Sequence, residues 1–280
     1  MCQIEEIKVS TILRPTGIDL APYVINPYQG CSLGCLFCYA QFSKTAQKEE
    51  RPWGSYVKVK INASEMLQKE LEKIKPEKVL LGSTTEIFQP LEKKYKVTES
   101  ILKILNAQKI PYVLMSRSPL ICDYVRLLQE GSCERIYFTV NAFPPELGIR
   151  IKEAAPAAAQ SIETIKVLEK NDIPVVAYLC PLLPGQDNWK ALFKSLQGVK
   201  NIECEIMNFL MAKNNDLWGK LMQADSGQAD FYRQFLEDEV FYKQVMQEFS
   251  DDIRAEAISL GKNIKIHQHE FCAYFNNRYQ

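Results

Sequence analysis

The sequence predicts an α/β protein, because short β-branched runs alternate with amphipathic helical stretches along most of its length. A chain of 280 residues buries roughly three quarters of its unfolded surface, so a sizeable core needs neither disulfides nor a structural metal. Its 46% apolar and 24% charged residues place it in the ordinary globular range, outside disordered and collagen-like compositions.

The elements follow in order. Residues 56–61 (YVKVKI) read as a strand, and Asn62 or Ser64 then caps a helical stretch carrying Met66, Leu67, Leu71 and Ile74. Residues 78–83 (KVLLGS) form a second apolar run, followed by a helix with Ile101, Leu102, Ile104 and Leu105 and with Thr98 at its expected cap. Residues 111–115 (PYVLM) precede a helix after Pro119, and 135–140 (RIYFTV) precede one over 161–170. Residues 174–180 (PVVAYLC) precede a helix over 188–197, and 201–209 (NIECEIMNF) come next. These make about six βα units at spacings of roughly 20–40 residues, the pattern of a parallel sheet with helical crossovers. A whole or partial barrel and an open doubly wound sheet both satisfy it. From Leu217 the pattern becomes helical, rich in charge and aromatics, until a strand-like run over 263–269. No Gly/Ser linker, charge block or repeat divides the chain. The expected organisation is one domain over 1–216 that includes the cysteine loop, closed by a helical segment over 217–280 packed on it.

Thirty-four basic residues balance 34 acidic ones, which argues against a broad electrostatic footprint for nucleic acid or anionic lipid. The amino terminus shows no basic region leading into an apolar stretch. The densest apolar run, over 173–183, is too short to span a bilayer and is interrupted by Pro174 and Pro181. A soluble, cytoplasmic protein without a membrane partner is expected, with its cysteines reduced. Nine cysteines, an odd count, fit a disulfide framework poorly.

Their spacing offers another explanation. Cys31, Cys35 and Cys38 fall at Cys-x3-Cys-x2-Cys, a triple that chance would place about 0.01 times in such a chain. Gly30 and Gly34 let the backbone fold tightly around something bulky, and a loop after an early strand is where α/β barrels place their chemistry. Thiolates this close favour a soft metal. Structural zinc normally takes four closed ligands, usually in two pairs, and no second Cys-x2-Cys exists here. An iron–sulfur cluster on three thiolates would leave one iron open to a further ligand. A reduced, metal-free loop is the plain alternative.

With an aromatic, Phe37, before the third cysteine, this loop resembles the signature of the radical S-adenosylmethionine (SAM) superfamily. Asn26-Pro27-Tyr28 before it, Cys38-Tyr39-Ala40 after it, and Thr85-Glu86-Ile87-Phe88-Gln89-Pro90 narrow the resemblance. Together with Ser116-Arg117-Ser118 and Pro181-Leu182-Leu183-Pro184-Gly185, they resemble the spore photoproduct lyase-like branch, over residues 8–190. The resemblance implies a partial (β/α)6 barrel with the helical C-terminal extension. It also implies a 4Fe–4S cluster on Cys31, Cys35 and Cys38 that chelates SAM, cleaves it reductively and yields a 5′-deoxyadenosyl radical for hydrogen abstraction. A reducing donor such as flavodoxin or ferredoxin is implied too. By motif, Phe37 and Tyr39 pack near the adenine. Thr85 and Glu86 contact SAM, the acid facing its ammonium group. Arg117 stands at the position of a lysine that grips the SAM carboxylate, which a guanidinium can do bidentately. Thr139 and Ala177 match further cofactor contacts.

The chain departs from that branch at several positions. Ser83 stands where spore photoproduct lyases carry a hydrogen-donating cysteine, and Phe37 where they carry a tyrosine. Relatives usually have an arginine near Ser161. The Ser83 and Phe37 departures, with zero net charge, point to a substrate other than a DNA photoproduct, whereas the missing arginine bears on one cofactor contact. A DNA-repair enzyme with a rearranged hydrogen donor is the alternative, and a non-enzymatic iron–sulfur or zinc protein a third. Cys180, ending its strand, is the candidate replacement donor, against a plain buried cysteine. His267 and His269 share one strand face and, with Cys272, make an alternative metal set; a closing surface strand or a substrate contact are the other readings. The aromatics over 231–242 read as helix packing rather than a base-stacking surface.

Overall fold

The computed structural model describes residues 2–150, 155–208, 217–262 and 264–271. It divides into two compact units. The first comprises 1–139 with 159–176, and the second 140–158 with 177–280.

In the first unit the strands are β1 (Gln3–Ile7), β2 (Arg14–Pro15), β3 (Tyr23–Ile25), β4 (Tyr28–Gly30), β5 (Tyr56–Lys60), β6 (Val79–Leu81), β7 (Tyr112–Ser116) and β8 (Cys133–Val140). β3, β6, β7 and β8 lie side by side in parallel, and β2 pairs antiparallel with β3. β5 forms a separate small sheet, parallel to β1 and antiparallel to β4. All three residues of β6 are buried, as a parallel strand covered on both faces requires.

Helices α1 (Ala63–Leu71), α2 (Glu92–Tyr95), α3 (Val97–Ala107) and α4 (Val125–Gln129) follow these strands. Helix α3 buries Ile101, Leu102 and Leu105 completely, each contributing about 1.5–3 kcal/mol of transfer free energy. Two expected caps act differently. Thr98 lies inside α3, where its hydroxyl donates to the Ile87 carbonyl at 2.6 Å. The orphan N–H groups of Thr98 and Glu99 donate instead to the Glu92 carboxylate, at 3.1 and 2.9 Å. Asn62 sits at the start of α1, but its side chain bonds both backbone groups of Val9, at 2.9 Å each.

Helix α5 (Pro145–Arg150) belongs to the second unit, and α6 (Ala158–Lys170) falls almost wholly in the first. The second unit carries β9 (Val175–Leu182) from Ala177 onward, then α7 (Asn188–Ser195) and β10 (Ile202–Ile206). Helices α8 (Leu217–Ala224), α9 (Ala229–Glu237) and α10 (Glu239–Ser259) lead to β11 (Lys265–His267). β10 is parallel to both β9 and β11. Tyr232 and Phe235 of α9 are fully buried, and the Phe235 ring meets Tyr242 at 4.6 Å between centroids. Those aromatics are therefore core packing. No helix among the described residues is long and apolar enough to cross a membrane.

Candidate active site

The three cysteines lie on the loop that leaves β4. Cys31 and Cys35 are buried and Cys38 is half-buried. The loop is tight because two glycines meet backbone to backbone: at Gly34, with φ of +60°, an added Cβ would stand 2.9 Å from Cα of Gly54. The Gln41 side chain closes the loop's far side, donating to the carbonyls of Leu36 and Cys38 at 3.0 and 2.8 Å.

The three cysteines line one pocket of about 570 Å³, counting the part open to solvent. Its other walls are residues 82–86 after β6, 115–117 at the end of β7, and Thr139 late on β8. These are the C-terminal ends of adjacent parallel strands, the edge where α/β folds collect functional groups. Tyr39, Ala40, Leu33 and Trp53 complete it. Among the described residues no three Cys, His, Asp or Glu side chains are grouped closely enough for a single ion.

The motifs flanking the cysteines interlock across this pocket. Asn26 accepts the N–H of Thr84 at 3.1 Å and donates to the Ser83 hydroxyl at 3.2 Å. The hydroxyl of Tyr28 donates to the buried Glu92 carboxylate. Thr85 donates to the carbonyl of Gly30 at 2.6 Å, and Gln89 accepts the N–H of Ser32 at 3.0 Å. Every second residue of the NPYQGCS segment is thus tied to residues 83–92 after β6.

Glu86 binds the next strand. Its carboxylate accepts the Ser116 hydroxyl and the Arg117 N–H, both at 2.8 Å, and the Phe88 N–H at 2.9 Å. Burial pushes its carboxyl above the usual range, and these donors pull the other way. Four lone-pair positions on a carboxylate exceed by one the three described donors. The guanidinium of Arg117 donates through Nη1 to Sγ of Cys35 at 3.6 Å and lies 5.5 Å from the centroid of the Phe37 ring. Tyr39, 47% exposed, donates its hydroxyl to the carbonyl of Ser83. Burial, chiefly, pushes the Cys31 thiol up to about 11.

Of the residues singled out in the sequence, Cys31, Cys35, Cys38, Tyr39, Thr85, Glu86, Arg117 and Thr139 share this pocket, and Phe37 reaches it through Arg117. Ala177 and Cys180 are described with the second unit. Ala177 is fully buried in β9, in register with Ile202. The Cys180 thiol donates to Oε2 of Glu205 at 3.1 Å, and the Tyr178 hydroxyl donates to the same oxygen at 2.9 Å. His269 meets Oε1 of Glu205 at 3.0 Å, and His267 meets Glu203 at 2.9 Å. Cys272 lies outside the described residues. Ser161 is fully buried in α6, its hydroxyl without a hydrogen-bond partner. Sequence reasoning missed Trp53, whose only signal is the adjacent Gly54, and Glu205, whose signal is the Glu-x-Glu alternation on an otherwise apolar strand.

Residues 25–193 match the sequence model of the radical SAM superfamily. This chain belongs to the radical SAM superfamily. An uncharacterized protein of Methanocaldococcus jannaschii is 30% identical over 182 residues, 65% of this chain and 68% of that one. An uncharacterized protein of Mycobacterium tuberculosis is 23% identical over 197 residues, and the matched part spans 58% of its length. Spore photoproduct lyase complexed with a dinucleoside spore photoproduct superimposes with a TM-score of 0.65 at 12% identity, over 95% of this chain and 82% of that one. A mutant of that lyase with bound AdoMet and dinucleoside spore photoproduct gives 0.60 at 14% identity, over 94% and 80%. This radical SAM enzyme therefore has the fold of spore photoproduct lyase.

The family implies a 4Fe–4S cluster and SAM, and the residues of the pocket fit both. Three thiols and no fourth Cys or His line it, the donor set of a cluster with one iron left for another ligand. Nε1 of Trp53, on the same wall, is buried without a hydrogen-bond partner, as is Oγ of Ser32 beside Cys31. Buried polar atoms of this kind normally have one, and an unpartnered donor on a residue lining the pocket fits a polar occupant.

Proposed function

We propose that this chain cleaves SAM reductively at a 4Fe–4S cluster held by Cys31, Cys35 and Cys38, acting on a substrate not yet identified. The observation that carries this reading is the meeting of three thiols with the polar ends of β6, β7 and β8 in one pocket. When bound, the cluster supplies the electron that breaks the bond from the SAM sulfonium to its 5′ carbon, giving a 5′-deoxyadenosyl radical for hydrogen abstraction.

The protein binds, orients and shields. In this reading the guanidinium of Arg117, which lines the pocket, faces the SAM carboxylate. Glu86 offers its open lone pair to the SAM ammonium. Thr85 spends its hydroxyl on Gly30 and so holds the loop in shape. Phe37 and Tyr39 flank Cys38 and pack near the adenine, while Thr139 supplies a further cofactor contact. A low-potential donor of the flavodoxin or ferredoxin type delivers the electron.

Ser83 supports a substrate other than a DNA photoproduct. It lines the pocket where a thiol donor would stand, and an O–H bond is too strong to return a hydrogen atom readily. Cys180, whose thiol donates to Glu205 at 3.1 Å in the second unit, is the candidate hydrogen donor by residue type.

The test is anaerobic reconstitution, reduction, addition of SAM and detection of 5′-deoxyadenosine. Replacing Cys31, Cys35 or Cys38 by Ala should abolish both the cluster absorbance and the cleavage. A fully loaded cluster that leaves SAM intact would overturn the reading. Turnover of a dinucleoside photoproduct in the same assay would replace the substrate assignment with repair. Once a substrate is found, undiminished turnover by Cys180→Ala would exclude that donor.

A further inference from the structure

Arg117 is held from three directions within the first unit. Glu86 accepts its backbone N–H at 2.8 Å and so sets where the side chain starts. The Phe37 ring lies 5.5 Å from its guanidinium carbon, within cation–π range. Its Nη1–H donates to Sγ of Cys35 at 3.6 Å. Cys35 is only 5% exposed, so water competes little for that sulfur.

A guanidinium stays charged at every pH a folded protein survives. Placed against a ligand sulfur, it interacts more favourably with the cluster state that carries the extra electron. Hydrogen bonds to sulfur and local charge are two of the levers that set the potential of such centres. We propose that Arg117, acting through Cys35, raises the reduction potential of the cluster, and that Phe37 holds the guanidinium in place for this. Arg117 and Phe37 are thus positioning residues for the electron-transfer step, in addition to any contact with SAM. The proposal rests on the reading that Cys31, Cys35 and Cys38 hold the cluster.

The test uses the full chain, reconstituted anaerobically without SAM, so that contact with the SAM carboxylate cannot affect the result. Iron and sulfide per chain are counted for the unaltered protein and for Arg117→Gln, Arg117→Lys and Phe37→Leu. A redox titration then follows the paramagnetic signal of the reduced cluster. In Arg117→Gln the reduced-to-oxidised ratio at the original midpoint should fall about tenfold, about 59 mV for a one-electron couple. Arg117→Lys, which keeps the charge without the planar fork, should fall between, and Phe37→Leu should shift the same way by less. An unchanged midpoint in a fully loaded Arg117→Gln protein would overturn the proposal while leaving the cluster reading intact. If that variant fails to load, Arg117→Met, which also removes the charge but keeps an apolar stem, replaces it: a wild-type potential overturns the proposal and a lowered one supports it. An unaltered chain that takes up no iron would overturn both.

Discussion

Glu86 carries out, with one side chain, work that a sheet edge usually divides among several. Its carboxylate fixes the turn after β6 through Phe88 and the end of β7 through Ser116 and Arg117. Glu86→Ala leaves these donors buried without a partner, at about 1–3 kcal/mol for each. Partial relaxation should leave a net loss of about 3 kcal/mol in urea unfolding of the apo chain. Cys31 makes a different prediction. Burial holds its thiol protonated in the apo chain, at about 11, whereas a metal ligand must be a thiolate. Cluster loading should therefore release protons and weaken as pH falls from about 8.5 to 6.5, read as iron retained against a chelator.

At the scale of elements, the cysteine loop owes its form to Gly34 facing Gly54. Gly34→Ala drives a methyl group into the opposing backbone at a positive φ, where no flexible side chain can give way. Its expected effect is loss of most cluster content with the sheets intact by circular dichroism. In the second unit, β10 sets two acids beside two histidines of the β11 segment. Burial of Glu205 works against its charge, but hydrogen bonds from His269, Cys180 and Tyr178 prevail and hold its carboxyl below the usual value. A depressed carboxyl stabilises the fold above its unfolded value of about 4.3, and that contribution is lost as pH falls through the lower folded value. Glu205→Gln should therefore flatten the loss of thermal stability on the acid side of about pH 4, and lower stability at neutral pH.

At the scale of the whole molecule, the balance of 34 acids and 34 bases bears on the substrate. Binding to duplex DNA depends on neutralising phosphates, and this chain brings no excess of cations to do so. It should pass unretained through a duplex-DNA column at about 0.15 M salt. Retention with a steep salt dependence would instead reveal a local basic surface and revive the repair reading.

The alternation of strands and helices was legible because burial imposes a period of two or 3.6 on the residues themselves, as in β6 and α3. The three cysteines were legible because their close spacing on one loop is rare by chance. The small sheet of β1, β4 and β5 was not: β5 was legible as a strand, but its partners β1 and β4 lie about fifty and about thirty positions away in short segments with little apolar pattern. Nor was the cap of α3, which Glu92 provides from a neighbouring helix in place of Thr98.

By itself, then, the sequence determined the fold class, the family and the cysteine triple, all of them properties of local pattern. Only the tertiary structure decided that Asn26, Thr85 and Gln89 join two distant segments into one frame, and that Arg117 reaches Cys35. Such contacts depend on where separate strands end in space, and no spacing along the chain records that.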